Sequence, residues 1–252
     1  MVATQFFAGL LFASAALASP AGRSRNTKRY GHQSNFLGNT TVIDNTSYNG
    51  NWAGAVISDA ANTFTKVVGT FKVPGSSGAD GASSAWVGID GSTCQTALIQ
   101  TGVTFTISGG DVSYDAWLEY IPAAEVSYDG SISFAEGDSV TVSIDVTSST
   151  SGTASIVNNS NGQKVSQTIS SSTPLCQQDA EWIVEDFSEN GGEVPFGDFG
   201  KVTFTDGSAT KSDGSTVDPS TGGVYDIQQN GVDMTSSALS PGGVTVTWLS
   251  AA

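Results

Sequence analysis

The sequence predicts an all-β protein with the architecture of an antiparallel β-sandwich. Short apolar alternations with a period of two recur along the chain, and this is the period of half-buried strands. Turn-forming dipeptides separate these alternations. No segment carries a sustained helical stripe of apolar residues. Many short strands joined by regular turns are typical of two packed antiparallel sheets.

The individual elements follow from local pattern. Residues 140–146 alternate between valine or isoleucine and polar side chains, and residues 202–204 and 244–248 do the same. Turns are predicted at 136–138, 161–162, 206–207 and 230–231, where glycine follows Glu, Asn or Asp. The stretch from residue 51 to residue 248, about 200 residues, is long enough for one core and contains no linker or repeat. We therefore expect a single folded domain over residues 46–252.

The N-terminus carries the features of an exported precursor. An apolar run over residues 6–17 ends in Ala16-Leu17-Ala18, a small-x-small cleavage pattern, so residues 1–18 are predicted to be a signal peptide. Residues 19–29 hold four of the nine Lys and Arg residues and end in a dibasic pair. We interpret them as a basic propeptide whose end can extend to about residue 45. The protein is expected to be secreted and extracellular.

The remaining chain is strongly acidic. The first acid is Asp44, so a product starting at Tyr30 carries 24 acids against five bases, a net charge of −19. Such a body repels nucleic acid and anionic membrane, which excludes both as expected partners. We expect a monomer.

The chain contains one histidine, His32, in the N-terminal stretch that we expect to lie outside the folded body and to have no catalytic role. Without another imidazole, the body cannot build a Ser-His or Cys-His pair or a His-ligated zinc site. Carboxylates and neutral polar groups must then carry any chemistry. No metal and no cofactor is predicted.

Covalent features agree with export. Cys94 and Cys176 can form one disulfide in an oxidising compartment, and two buried thiols are the alternative. Closing a loop of about 80 residues would contribute about 4 kcal/mol by chain entropy. Asn39, Asn45 and Asn158 each begin an Asn-x-Ser/Thr sequon and are candidate glycosylation sites.

Four predicted strands interleave aromatic and polar side chains, because residues two apart share a face. They lie at residues 84–91, 96–102, 114–120 and 180–187. Flat apolar walls with a few inward polar groups are typical of a substrate groove. Taken singly, each polar residue in these strands is also consistent with a solvated surface, and each tryptophan is also consistent with core packing. Composition and spacing alone therefore indicate a secreted acidic sandwich and leave open a hydrolase that uses a carboxylate.

At these segments the chain resembles the eqolisins, the fungal glutamic peptidases. The shared motifs occur in the same order at residues 51–55, 71–74, 86–91, 98–102, 114–117, 180–187, 194–196 and 202–205. The resemblance implies two packed sheets with a substrate groove on one side, and protein and peptide substrates.

The resemblance also implies roles for particular residues. Gln100 of Leu-Ile-Gln-Thr-Gly and Glu185, the second Glu of Ala-Glu-Trp-Ile-Val-Glu, match the family's catalytic pair. The residues at positions that line or support the family's site are Trp52, Trp86, Asp90, Asp115 and Glu119. Cys94 and Cys176 match the family's disulfide. Some members have a second disulfide just past the catalytic Glu; this chain lacks its cysteines, so we expect a looser loop over residues 188–193.

The residue types suit peptide hydrolysis in acid. Glu185 can take a proton from the attacking water and return it to the leaving amine. The Gln100 amide can donate to the developing oxyanion, an interaction typically worth about 3 kcal/mol. The sequence thus predicts an acid endopeptidase.

Two other functions remain open from the residues. A secreted glycoside hydrolase could pair Glu119 with Glu185, and such a mechanism needs no glutamine. A carbohydrate-binding sandwich without catalytic activity would use its tryptophan and tyrosine rings for stacking on sugars.

Overall fold

The computed structural model describes residues 30–128 and 130–251. The predicted signal peptide and the basic residues 19–29 lie outside the described residues. Strands dominate the described chain, and the predicted β-sandwich is confirmed. The described residues include no helix long and apolar enough to cross a membrane.

The strands are labelled in chain order. They are β1 (Thr41–Ile43), β2 (Thr46–Asn49), β3 (Trp52–Ser58), β4 (Phe64–Lys72), β5 (Gly81–Ile89), β6 (Leu98–Ser108), β7 (Asp111–Ile121), β8 (Val126–Ser127), β9 (Ser139–Ser148), β10 (Ser151–Asn158), β11 (Lys164–Ser170), β12 (Asp179–Glu185), β13 (Ser188–Glu189), β14 (Gly192–Glu193), β15 (Lys201–Lys211), β16 (Thr216–Val217), β17 (Gly223–Gln229), β18 (Val232–Asp233), β19 (Thr235–Ser240) and β20 (Gly243–Trp248). A short 3-10 helix spans Pro219–Thr221.

Two large sheets pack face to face. The first has the order β1-β2-β17-β3-β12-β5-β6-β7-β8, and the second has the order β11-β10-β9-β4-β15-β20-β19. Neighbouring strands run antiparallel except β2 and β17, which are parallel. The central strands β3, β5 and β12 are almost wholly buried on both faces. The outer face of the first sheet is therefore shielded from solvent as well.

The main core lies between the two sheets and follows the period-two pattern. On β9, Val140, Val142 and Ile144 are fully buried, as their alternation predicts. Trp182 belongs to this core: its indole N–H donates to the carbonyl of Val68 at 2.8 Å, so it is not a groove wall.

One predicted turn is wrong. Asp206 and Gly207 lie inside β15, which continues to pair with β4 on both sides of them through a register shift. The extra residue is accommodated as a bulge at Asp206, which has a positive φ of 51°, and the chain does not reverse direction there. The turns predicted at 136–138, 161–162 and 230–231 are confirmed.

The disulfide Cys94–Cys176 is confirmed and closes 82 residues. It ties the segment after β5 to the segment before β12. Residues 188–193, expected to be a looser loop, instead form the hairpin β13–β14.

Candidate active site

Strand register brings the predicted site residues onto one face of the first sheet. Glu185 on β12 pairs with Trp52 on β3 and with Ser84 on β5. Gln100 on β6 pairs with Gly88 on β5 and with Glu119 on β7. Because side chains alternate along a strand, these residues all project away from the main core. This face is the groove face below.

Glu185 is fully buried at the centre of the groove face. The indole N–H of Trp86 donates to its Oε2 at 2.8 Å. The Ser34 hydroxyl lies 2.8 Å from Oε1 and 2.6 Å from Oε2, and the backbone N–H of Asn35 donates to Oε1 at 3.2 Å. These donors fix the orientation of the carboxylate.

Gln100 is held by Glu119. Its Nε2 donates to Glu119 Oε2 at 2.8 Å, and both side chains are buried. An amide nitrogen carries two hydrogens, so a second N–H is left for another acceptor. Gln100 Oε1 has no hydrogen-bond partner among the described residues. Burial, and then the charge of Glu185, raise the pKa of Glu119 to about 8, so this carboxyl is neutral in acid.

Tryptophans wall the groove face. Trp52 and Trp86 meet edge to face with ring centroids 4.9 Å apart, and Trp117 joins them in a small apolar cluster separate from the main core. Trp52 and Trp86 therefore lie on the groove face, and their role in lining a substrate site stays a prediction.

Asp90 supports β12 and lies away from Glu185. It is buried at a positive φ of 74° and accepts backbone N–H bonds from Gln177 at 2.8 Å and Gln178 at 2.9 Å. Burial raises its pKa to about 6. The sulfurs of Cys94 and Cys176 lie near its carboxylate, but they are bonded to each other and cannot act as thiolate ligands.

Asp115 lies near the edge of the groove face. It pairs with Thr104 on β6 and lines a separate cavity with Tyr114, Tyr128 and Ile132. The structure therefore brings Glu185, Gln100, Glu119, Trp86 and Trp52 together. It places Asp115 near the edge of this face and Asp90 beside the start of β12, at the opposite end of that strand from Glu185.

An N-terminal strap, defined here as residues 30–38, covers the groove face. The expectation that His32 lies outside the folded body is wrong. Its side chain is buried, its ring stacks on Trp117 with centroids 3.7 Å apart and planes 15° apart, and its Nε2 lies 3.4 Å from Glu185 Oε2. Burial lowers the pKa of His32, while the nearby Glu185 carboxylate opposes the shift.

Main-chain contacts hold the strap in an extended conformation. Gln33 and Ser188 exchange backbone hydrogen bonds of 3.0 and 3.1 Å, and the Leu37 N–H donates to the carbonyl of Gly91 at 3.1 Å. Leu37 is buried in the tryptophan cluster, with Phe36 packed against it. This apolar pair inside a polar stretch is the sequence signal that the strap docks on the body.

The three sequons differ in exposure. Asn39 and Asn45 are exposed, as a glycan acceptor requires. Asn158 is fully buried, and its Nδ2 donates to Ser133 O at 2.9 Å and to Asp138 Oδ2 at 2.7 Å. A glycan on Asn158 would break these bonds, so the folded chain disfavours that candidate.

Comparison with known proteins decides the family. The model of the Peptidase A4 family matches residues 50–248. The chain belongs to the Peptidase A4 family. Aspergillopepsin-2 of Aspergillus niger is 42% identical over 279 aligned positions, which cover 96% of this chain and 97% of that protein. Scytalidopepsin B of Scytalidium lignicola is 43% identical over 206 positions, covering 78% of this chain and 76% of that protein.

A solved structure supports the same assignment. The crystal structure of Scytalido-glutamic peptidase with a peptide-based transition state analog is similar with a TM-score of 0.72 at 40% identity, covering 79% of this chain and 98% of that one. The eqolisin resemblance is confirmed, and this Peptidase A4 member is a glutamic endopeptidase, a hydrolase acting on peptide bonds.

Proposed function

We propose that this Peptidase A4 member is a secreted acid endopeptidase in which Glu185 activates water, Gln100 stabilises the oxyanion and the N-terminal strap keeps the precursor latent. The observation that carries the proposal is the placement of Glu185. It is a buried carboxylate at the centre of a tryptophan-walled groove, and the donors around it include a backbone N–H of an extended peptide.

The reaction needs two proton transfers, and Glu185 performs both. As a base it takes a proton from a water that attacks the scissile carbonyl, and as an acid it returns that proton to the leaving nitrogen. In the strap, the Asn35 N–H donates to Glu185 Oε1 at 3.2 Å, so a peptide nitrogen in this position lies within reach of the carboxyl group that would protonate it.

Gln100 serves the developing negative charge. Its first N–H is bound by Glu119, and its second is available for the oxyanion. Since the pKa of Glu119 is raised to about 8, that group stays neutral at acid pH and adds no repulsion to the oxyanion or to Glu185. Glu185 is then the catalytic carboxylate, and its neighbours Gln100 and Glu119 are neutral in acid.

The position of Ser34 explains how the strap keeps the precursor inactive. Its hydroxyl contacts both oxygens of Glu185, the place that the attacking water would need, and its N–H donates to Glu119 Oε2 at 3.3 Å. The strap thus binds like a substrate while excluding the nucleophile. The family match begins at residue 50, after the strap, which supports assigning the strap to the propeptide.

The expected setting is extracellular. The mature chain would act as a monomer on protein and peptide substrates, without metal or cofactor, and its net charge of −19 from Tyr30 onward disfavours nucleic acid and anionic membranes. The glycosidase alternative is not favoured, because the family model and the relatives that match this chain are peptidases.

The test is proteolysis by acid-treated protein. Wild type and Glu185→Gln are incubated with a denatured protein from pH 2 to 7, with a chelator and with a statine-type inhibitor of aspartic proteases. We expect wild-type cleavage in acid that survives both inhibitors and falls at least 1,000-fold in the variant. No cleavage at any acid pH, or full activity of Glu185→Gln, would overturn the proposal.

A further inference from the structure

Ser84 lies on the groove face directly opposite Glu185, and no hydrogen bond between described residues uses its hydroxyl. We propose that Ser84 is a positioning residue for Glu185: once the strap has left, its hydroxyl donates to the Glu185 carboxylate and keeps that group oriented and ionised in acid. The proposal rests on the proposed function, because it takes Glu185 as the group that activates water.

Strand register places the two side chains within reach of each other. Ser84 on β5 pairs with Glu185 on β12, and Trp86, which already donates to Glu185, follows two residues later on the same face. Directly opposite residues of an antiparallel pair have Cβ atoms about 4.5–5.5 Å apart. The serine hydroxyl and the glutamate carboxylate both extend beyond Cβ, so rotation about χ1 of Ser84 can bring the hydroxyl to the carboxylate.

The Ser84 hydroxyl is buried without a partner. The residue is fully buried, and Thr104, which lies opposite it on β6, is buried as well, with no hydrogen-bond partner for its hydroxyl among the described residues. Opposed hydroxyls between β10 and β11 do bond to each other, Ser155 to Ser166 at 2.7 Å and Thr153 to Thr168 at 3.0 Å. Leaving a buried polar group unpaired is costly, which indicates that Ser84 gains a partner in another state of the protein.

Removal of the strap creates the need for a further donor. In the precursor, the Ser34 hydroxyl and the Asn35 N–H both donate to Glu185, and both belong to the strap. The Trp86 N–H is the donor that the sheet supplies. A carboxylate that works as a base in acid must be ionised, and each hydrogen bond donated to its charged form favours that state. A second donor from the sheet, Ser84, therefore extends activity to lower pH.

Ser83 provides a matched comparison. It precedes Ser84 on β5, it is also buried, and its hydroxyl also has no hydrogen-bond partner within the described chain. Because side chains alternate along a strand, Ser83 faces the main core, opposite Phe105 on β6. The two serines thus share burial and an unpaired hydroxyl, and they differ in whether Glu185 is within reach.

The experiment uses acid-matured enzyme prepared from the full chain as wild type, Ser84→Ala, Ser84→Thr and Ser83→Ala. The values of kcat and KM are measured on one peptide from pH 2 to pH 6. We expect Ser84→Ala to lower kcat by at least about 10-fold with KM within about twofold of wild type, and to move the acid limb of the kcat profile upward by at least about 0.5 pH unit. Ser84→Thr keeps the hydroxyl and should restore both the wild-type kcat and the wild-type acid limb.

Ser83→Ala is the control and should leave kcat and the acid limb unchanged, since a purely structural cost of losing a buried hydroxyl would affect both serines alike. A Ser84→Ala enzyme with kcat within twofold of wild type, an unshifted acid limb, or equal losses in Ser84→Ala and Ser83→Ala would overturn the proposal. If Ser84→Ala does not fold, Ser84→Cys, which is similar in size and a weaker donor, takes its place in the same comparison. Absence of cleavage by the wild type would instead overturn the proposed function.

Discussion

Trp86 shows how one side chain serves two purposes in the groove. Its ring meets Trp52 edge to face, while its N–H donates to Glu185 Oε2 at 2.8 Å. A hydrogen bond to a charged group is worth about 1.5–3 kcal/mol, more than a neutral one. Trp86 therefore both walls the groove and orients the catalytic carboxylate.

We predict that Trp86→Phe lowers kcat by about 10- to 100-fold, because it removes the donor to Glu185 and keeps a ring. Trp52→Phe is the matched control, since the Trp52 N–H has no hydrogen-bond partner among the described residues. Steady-state kinetics on one peptide measures both variants. Equal losses in the two variants would contradict an orienting role for Trp86.

At the residue scale, sequence predicts the groups whose motif is local and misses those whose environment is distant. Glu185 and Gln100 stand in recognisable strand segments. His32 does not: its burial depends on Trp117 and Phe187, which are far away in the chain and contact it only after folding. An isolated polar residue near a basic tail carries no sign of such partners.

At the scale of elements, strand positions are predictable and strand neighbours are not. The alternation on β9 follows directly from its apolar residues, whereas the placement of β12 between β3 and β5 joins segments far apart in sequence. The bulge in β15 is missed because its Asp-Gly pair has the composition of a turn.

The strap is the element with the most direct functional consequence. A synthetic peptide with the sequence of residues 30–38 is expected to inhibit the acid-matured enzyme competitively and to remain intact. The same peptide with Ser34→Ala should inhibit more weakly and be cleaved after position 34, because the site of the attacking water is then open. Inhibition constants and mass spectrometry give the readout.

A scrambled peptide of the same composition is the control for that experiment and should not inhibit. Cleavage of the unsubstituted peptide at the bond after Ser34, as fast as the Ser34→Ala peptide, would show that the serine hydroxyl does not exclude the nucleophile.

At the scale of the whole molecule, buried carboxyls tie stability to pH. Burial raises the pKa of Asp90 to about 6 and of Asp186 to about 7, and Glu119 reaches about 8. The pKa of Glu181 is raised well above its usual value by burial and by the nearby charges of Asp179 and Asp90, and neither of its oxygens has a hydrogen-bond partner among the described residues.

These shifts fix the sign of the pH dependence. Between about pH 4 and pH 8 the folded state holds protons that the unfolded state has released, so stability falls as pH rises. For Asp90 alone, raising the pKa to about 6 corresponds to about 3 kcal/mol of folding stability that is lost as the pH rises. The fold is thus suited to acid.

We predict that the unfolding temperature of the protein decreases steadily from pH 4 to pH 8. Glu181→Gln should flatten this decrease, since an amide does not ionise, whereas the exposed Glu136→Gln should leave it unchanged. Calorimetry across this pH range measures the slopes. An unfolding temperature that rises with pH would contradict the assignment.

The central claim is that one carboxylate works with a neutral amide partner, and Gln100→Ala tests it most directly. The measurement is kcat on a single peptide in acid for wild type and variant, with folding checked by circular dichroism. We predict a 100- to 1,000-fold fall in kcat with little change in KM, the loss expected for an oxyanion donor. A folded Gln100→Ala enzyme that keeps more than half of the wild-type kcat would contradict the account.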